Sequence, residues 1–405
     1  MAAMIELVQA GGVTSPKGFV AGGACAGIKS DTAEAPDLGI LLSEAAAVVA
    51  GTFTRNKVVS PSVVLSRQRV AGGHARGVVA NSGCANCAVG EQGLKDAEEM
   101  AALAAGHAGV DVDEMLVCST GLIGVELPMA LIRQNIGNVE LSDQGGTDFA
   151  RSIMTTDTRS KEIAVSVDAA GTRITVGGAA KGVGMVHPDM ATMLAFVSTD
   201  ADAERGFLQR ALSDAVDASF NMIDVDGDTS TNDTVLVLAN GMAGGEQIRD
   251  GSASAGAFRE ALTYVCAALA KELARDGEGA RTLIEVVVDG AATSGEARMA
   301  ARTVASSLLV KAMVHGRDPN WGRIMMAVGR SGADFEESKV DLFIAGIQMV
   351  HEGVAIPYLK DAVISAMGDA EVRLGVSLNH GDASATAWGC DLTEEYVTFN
   401  SAYST

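Results

Sequence analysis

Lys181-Gly-Val-Gly-Met-Val-His-Pro-Asp-Met-Ala-Thr-Met-Leu194 is the stretch on which the reading of this chain turns. Gly182, Gly184 and Pro188 constrain a turn, and the apolar run Met193–Val197 begins directly after the junction Ala191–Thr192. A threonine just before a strand, after a small residue and a constrained loop, is where a self-cleaving chain can create a new N-terminus. Once the Ala191–Thr192 bond is cut, Thr192 carries a free α-amine beside its own hydroxyl. That amine can take the hydroxyl proton and turn the oxygen into a nucleophile. Its ordinary pKa of about 7.7–8.0 suits a base working near neutral pH. The plain alternative is a strand threonine, which the surrounding glycines and Pro188 disfavour.

Other short segments carry the same message. They are Asn81-Ser-Gly-Cys-Ala-Asn86, Ser119-Thr-Gly-Leu-Ile-Gly124, Met154-Thr-Thr-Asp157, Asp226-Gly-Asp-Thr-Ser-Thr-Asn-Asp233, Asp276-Gly-Glu-Gly279, Asp318-Pro-Asn-Trp-Gly-Arg323 and the terminal Asn400-Ser-Ala-Tyr-Ser-Thr405. With residues 181–194 they resemble, in one collinear order over nearly the whole chain, the ornithine acetyltransferase (glutamate N-acetyltransferase) family of arginine biosynthesis. Members of that family cut themselves before the threonine of a K-G-x-G-M-x-x-P-x-x-A-T-M-L segment. The resemblance implies an α/β (α+β) fold, an αββα sandwich of layered mixed sheets covered by helices. It implies two interleaved fragments, residues 1–191 and 192–405, assembled as an α2β2 heterotetramer. The implied reaction moves an acetyl group from N2-acetyl-L-ornithine to L-glutamate through acetyl-Thr192, and some members also accept acetyl-CoA. No cofactor or metal is implied.

The resemblance also distributes roles. Thr120, by its side chain, and Gly121, by its backbone N–H, correspond to an oxyanion hole, which acyl transfer needs as two donors aimed at one point. Read plainly, the same pair is a strand-to-turn junction after Val117-Cys118, where glycine lets the chain bend. Lys181, Thr156 with its neighbour Thr155, Glu278, Asn400 and Thr405 correspond to substrate contacts, along with Thr192. Lysine offers a cation to an α-carboxylate. Glu278, in a glycine-flanked turn after a helix, can receive a substrate ammonium.

Composition narrows the field from outside. The 405 residues carry a net charge of −21, which repels nucleic acid and anionic membranes as partners. Hydrophobic residues make up 48% and aromatics 4%, so the core must be built from small aliphatic side chains. Length suggests two or three domain-sized units. The N-terminus lacks a basic region followed by an apolar core, no run of 18 apolar residues occurs, and the cytoplasm is the expected location. The six cysteines do not suggest a disulfide framework. Cys84 and Cys87 have no second pair to complete a zinc site and read as small buried thiols. Asp224-Val-Asp-Gly-Asp228 opens like a calcium loop, but Thr229 and Val235 stand where glycine and glutamate are needed. Gly182-Val-Gly184 lacks the third glycine of a dinucleotide loop, and Gly329-Arg-Ser-Gly332 fails the nucleophile-elbow spacing.

The element pattern mixes strands and helices. Ile163–Val167 and Ile174–Val176 form a hairpin leading to a Gly177-Gly178 loop. Val235–Leu238, Leu283–Val288, Val340–Ile344 and Val372–Leu378 read as strands. Helical spacing links Phe207 to Phe220, Phe258 to Leu273 with Ser254 as N-cap and a stop at Asp276-Gly277, and Val304 through Leu308 to Met313. Two rival functions remain: an N-terminal-nucleophile amidase or aminopeptidase that passes the acyl group to water, and an uncut binding protein.

Overall fold

The structure is a computed structural model and describes residues 4–29, 35–187 and 193–402. Ala191, Thr192 and Thr405 lie outside the described residues. The larger sheet holds β1 (Ile5–Leu7), β2 (Phe19–Ala24), β3 (Leu38–Phe53), β4 (His74–Cys84), β5 (Met115–Leu122), β6 (Lys161–Ala169), β7 (Thr172–Lys181), β8 (Leu194–Thr199) and β10 (Thr234–Ala239). Its order is β1-β6-β7-β8-β10-β3-β4-β5, with β2 also paired to β3. The smaller sheet holds β9 (Ile223–Asp224), β11 (Leu283–Ala291), β12 (Asp341–Ile344), β13 (Ile347–His351), β14 (Val354–Ala355), β15 (Glu371–Ser377) and β16 (Ala383–Cys390), in the order β14-β13-β12-β15-β11-β16-β9.

Eleven helices among the described residues cover these sheets. They are α1 (Pro61–Val70), α2 (Gln92–Ala108), α3 (Met129–Asn135), α4 (Gly146–Ser152), α5 (Arg205–Asp217), α6 (Ala255–Arg275), α7 (Ser294–Ala305), α8 (Leu308–His315), α9 (Trp321–Gly329), α10 (Lys360–Ala366) and α11 (Glu394–Ala402).

Strand alternation produces the layering. In β8 and β10, Ala195, Val197, Val235 and Val237 face a core shared with Phe207 of α5 and Phe258 and Leu262 of α6. The intervening residues Leu194, Phe196, Leu236 and Leu238 face a second core with Val78 and Ala80 of β4 and Leu116 of β5. In β4 the next residue, Val79, turns to a third core with Met100 and Ala104 of α2. The result is helix, sheet, sheet, helix, the αββα arrangement. Phe196 is fully buried and meets Phe149 of α4 edge-on at 5.1 Å. Burying such a ring contributes about 1.5–3 kcal/mol. The first core continues without a break into the smaller sheet through Val286, Leu374 and Ala387, so the two or three units suggested by length share one interior.

Three local expectations are corrected. Gly177 and Gly178 are not a loop but part of β7, which runs on to Lys181. Glycine is needed there for close packing: a Cβ on Gly177 would lie 2.1 Å from Gly12 O, and one on Gly178 would lie 2.9 Å from Leu269 Cδ1. The helix expected from Val304 to Met313 is two, α7 and α8, because Ser307 adopts an extended ψ of 114° and restarts the chain as an N-cap. Ser254 does precede α6, but its own backbone is already helical and its side chain makes no capping bond.

Candidate active site

β5 (Met115–Leu122) carries the first of the candidate residues near its end. Gly121, with φ of +129°, turns the backbone beside the end of β4; a Cβ there would sit 2.3 Å from the Gly83 carbonyl carbon. Thr120 precedes it and is buried. The Asn232 amide donates to Ala85 O at 2.6 Å and Ser119 O at 2.8 Å, stapling the Asp226–Asp233 loop to the ends of β4 and β5. Thr120 is thereby fixed from both sides.

β7 delivers Lys181. The last rung of the β7–β8 ladder pairs Lys181 with Leu194. Lys181 Nζ donates to Thr120 Oγ1 at 3.1 Å. Burial pulls this ammonium below the usual lysine range, and Asp157 works against that pull. At the start of β8, the Met193 N–H donates to Asp233 Oδ1 at 3.0 Å, and Met193 O accepts from Thr234 N at 3.1 Å. The peptide that follows Thr192 is therefore tied to the same loop. Burial pushes the Asp233 carboxyl well above the usual range.

A buried clip joins two more motifs. Lys161 Nζ contacts Asp157 Oδ1 at 2.6 Å and Asp276 Oδ2 at 2.5 Å, with all three side chains almost fully covered. Asp157 Oδ1 also accepts from Gly182 N at 3.1 Å, just past Lys181. Burial alone would raise the Asp157 carboxyl, but Lys181 and Lys161 hold it below the usual range. Charges this deep are tolerated because each is paired, and removing one partner from such a pair costs about 3–5 kcal/mol.

The clip sets Thr156 beside Glu278. Thr156 Oγ1 donates to Glu278 Oε1 at 2.7 Å, and Asn400 Nδ2 of α11 donates to Oε2 at 2.9 Å. The carboxylate lies flat over Gly184, where a Cβ would approach it to 2.4 Å. Thr155 turns its N–H to Asp157 instead, so Thr156 is the threonine that meets Glu278.

Thr120, Gly121, Thr155, Thr156, Lys181, Glu278 and Asn400 line one cavity of about 500 Å³. Lys29 and Lys181 supply positive charge to its wall, and Asp226, Asp228 and Glu278 supply negative charge. The wall thus offers a partner for each charge of a zwitterion. The Asp318–Arg323 motif is not in this wall; it leads into α9. Cys84 and Cys87 are buried thiols, and among the described residues no group of three or more His, Cys, Asp or Glu could hold a metal. No helix among them is long and apolar enough to cross a membrane.

Asp157, Asn232 and Asp233 belong to the quoted motifs, yet sequence reasoning gave them no task. Their neighbours in those motifs were the available signal. Lys161, Lys29 and Tyr396, the last also in the cavity wall, lie in no motif and had none.

The sequence profile of the ArgJ family matches residues 20–405. The chain belongs to the ArgJ family. The arginine biosynthesis bifunctional protein ArgJ of Symbiobacterium thermophilum is 51% identical over 398 residues, covering 98% of this chain and 99% of its own. ArgJ of Dehalococcoides mccartyi is 47% identical over 405 residues, the whole of both chains. A crystal structure of ArgJ from Bacillus halodurans, 42% identical with a TM-score of 0.50, covers 51% of this chain and 98% of that one. This ArgJ-family chain is an enzyme, and its family is the one to which the motifs pointed.

Proposed function

We propose that the chain cuts itself between Ala191 and Thr192 into residues 1–191 and 192–405, and then transfers acetyl groups from N2-acetyl-L-ornithine to L-glutamate. The observation that carries this reading is the convergence, in one cavity, of Thr120, Gly121 and Lys181 with the Thr156–Glu278–Asn400 cluster. The described chain resumes beside them, at Met193. The Bacillus halodurans match supports the cut, since 98% of a solved ArgJ chain corresponds to 51% of this one.

In this mechanism the Thr192 amine takes the hydroxyl proton, and the oxygen attacks the acetyl carbonyl. Thr120 and Gly121 donate to the resulting oxyanion. The C–N bond breaks, ornithine leaves with the proton held by the Thr192 amine, and an acetyl ester remains on Thr192. Glutamate's neutral amine attacks that ester. The amine's proton returns through the Thr192 amine to the departing hydroxyl. Glu278, steadied by Thr156 and Asn400, receives the side-chain ammonium of ornithine. Thr405 and the remaining N–H bonds of Lys181 are assigned to the substrate as well. The name "bifunctional" on the relatives supports acetyl-CoA as a second donor. An α2β2 assembly of the two fragments completes the reading.

Intact mass spectrometry tests the cut: the fragments should weigh roughly 19.5 and 21.8 kDa, by residue share of 41.3 kDa. Thr192→Ala should give one uncut, inactive chain. With acetylornithine alone, the fragment beginning at Thr192 should gain an acetyl group, and glutamate should discharge it as N-acetylglutamate. Release of free acetate instead would favour an amidase. A cut and active Thr192→Ala protein would end the nucleophile assignment.

A further inference from the structure

We propose that Lys181 acts on the reaction through Thr120, as a positioning residue that orients and polarises the oxyanion-hole hydroxyl, in addition to any contact with substrate. The inference rests on the function proposed above and adds a task to a residue otherwise assigned to the substrate alone.

The direction of the contact follows from its chemistry. An ammonium has three donors and no acceptor, whereas a threonine hydroxyl has one proton and two lone pairs. Where Lys181 Nζ meets Thr120 Oγ1 at 3.1 Å, the lysine must therefore donate and the threonine must accept. The hydroxyl's own proton is excluded from that contact and is left for the cavity, which Thr120 lines. A hydroxyl whose oxygen accepts from a cation is also a stronger donor, because hydrogen bonds in a chain polarise one another. Lys181 is only 4% exposed, so water scarcely dilutes the effect.

The charge is kept where it is needed. Asp157 and then Glu278 favour the ammonium, against the pull of burial and the repulsion of Lys161. Asp157 is itself held by Lys161 and by the Gly182 N–H. The lysine thus reaches Thr120 from a strand end fixed by its own neighbours, and no substrate group is required to place it.

A substrate-carboxylate receptor and a hydroxyl-polarising lysine behave differently. Lys181→Met should lower kcat for acetylornithine about 10- to 100-fold, as expected for a hydrogen bond to a charged group. In the Thr120→Ala background the same substitution should change kcat less than threefold, since its target is gone. Lys181→Gln, which keeps a neutral donor, should lose less than Lys181→Met. 4-Nitrophenyl acetate, an acetyl donor without a carboxylate, should acetylate Lys181→Met more slowly than the parent. A folded but uncut Lys181→Met chain reads the same way, because self-cleavage offers the lysine no substrate carboxylate. Full loss in both backgrounds, or a rise confined to KM with parental rates on 4-nitrophenyl acetate, would overturn the proposal. A parent that never acquires an acetyl group on the Thr192 fragment would instead overturn the function on which it rests.

Discussion

Replacing Glu278 by glutamine tests the ammonium end of the cavity without removing its shape. The carboxylate accepts one hydrogen bond on each oxygen, from Thr156 at 2.7 Å and from Asn400 at 2.9 Å. Each carboxylate oxygen has about two acceptor sites. One remains on each oxygen, and together they suit a bridging ammonium. A hydrogen bond to a charged group contributes about 1.5–3 kcal/mol, or roughly 10- to 150-fold in affinity. Glu278 is partly exposed, so screening favours the lower part of that range, about 10- to 30-fold. Acetylornithine carries a side-chain ammonium, whereas glutamate carries a side-chain anion and attacks through a neutral amine. Glu278→Gln should therefore raise KM for acetylornithine about 10- to 30-fold and KM for glutamate less than threefold. Initial rates of N-acetylglutamate formation, varied in both substrates, give both constants, and a melting curve confirms the fold. An equal rise in the two KM values, or a loss in kcat alone, would refute the assignment.

Gly121→Ala should lower turnover by about 10²–10³, because the N–H of a displaced residue no longer points where the oxyanion forms. Its Cβ would press 2.3 Å from the Gly83 carbonyl carbon, so the melting temperature should fall as well; turnover within threefold of the parent would remove Gly121 from the site. Asp233→Asn keeps an acceptor for the Met193 N–H while removing a buried acid whose pKa is raised in the folded state. Such an acid contributes most below its unfolded pKa of about 3.9, and stability falls as pH climbs from there through the folded pKa. The variant should melt higher than the parent at pH 7, with the gap closing near pH 4. A gap that stays constant across that interval would contradict an Asp233 carboxyl raised by burial in the folded state.

Most of the cavity wall was legible because its residues sit in short motifs where glycine, threonine and an ionisable group occur together. Thr120-Gly121, Thr156 and Glu278 were singled out through the family resemblance those motifs carry, and the structure brings them within one cavity. The Lys161 clip was not legible. Its partners Asp157 and Asp276 are four and 115 residues away, and Lys161 reads in sequence as the polar start of a strand. The αββα layering also escaped pattern reading, and it came only with the family resemblance. Part of the reason is β3, whose 16 residues carry a register irregularity between Leu42 and Ala47. Ala45-Ala46-Ala47 gives no polar alternation there to mark which face is which. The division of α7 from α8 was hidden because Leu308 and Met313 continue the apolar spacing of Val304 across Ser306 and Ser307.

β8 and β10 lie between β7 and β3 in the larger sheet, so residues before and after the proposed cut alternate across its width. While the chain is continuous, assembling that sheet is a unimolecular event, and the connection through residues 188–192 keeps the two halves at a high local concentration. After scission the same sheet can be rebuilt only when two separate polypeptides meet. Its stability then depends on protein concentration, as in an obligate dimer. The mature enzyme would be a product of its own assembly history. Heating or denaturant would release two fragments, neither containing the complete larger sheet, and cooling a dilute solution would return little activity. Its lifetime is then governed by how rarely it opens, a rate, while the equilibrium that first folded the chain belongs to the precursor alone.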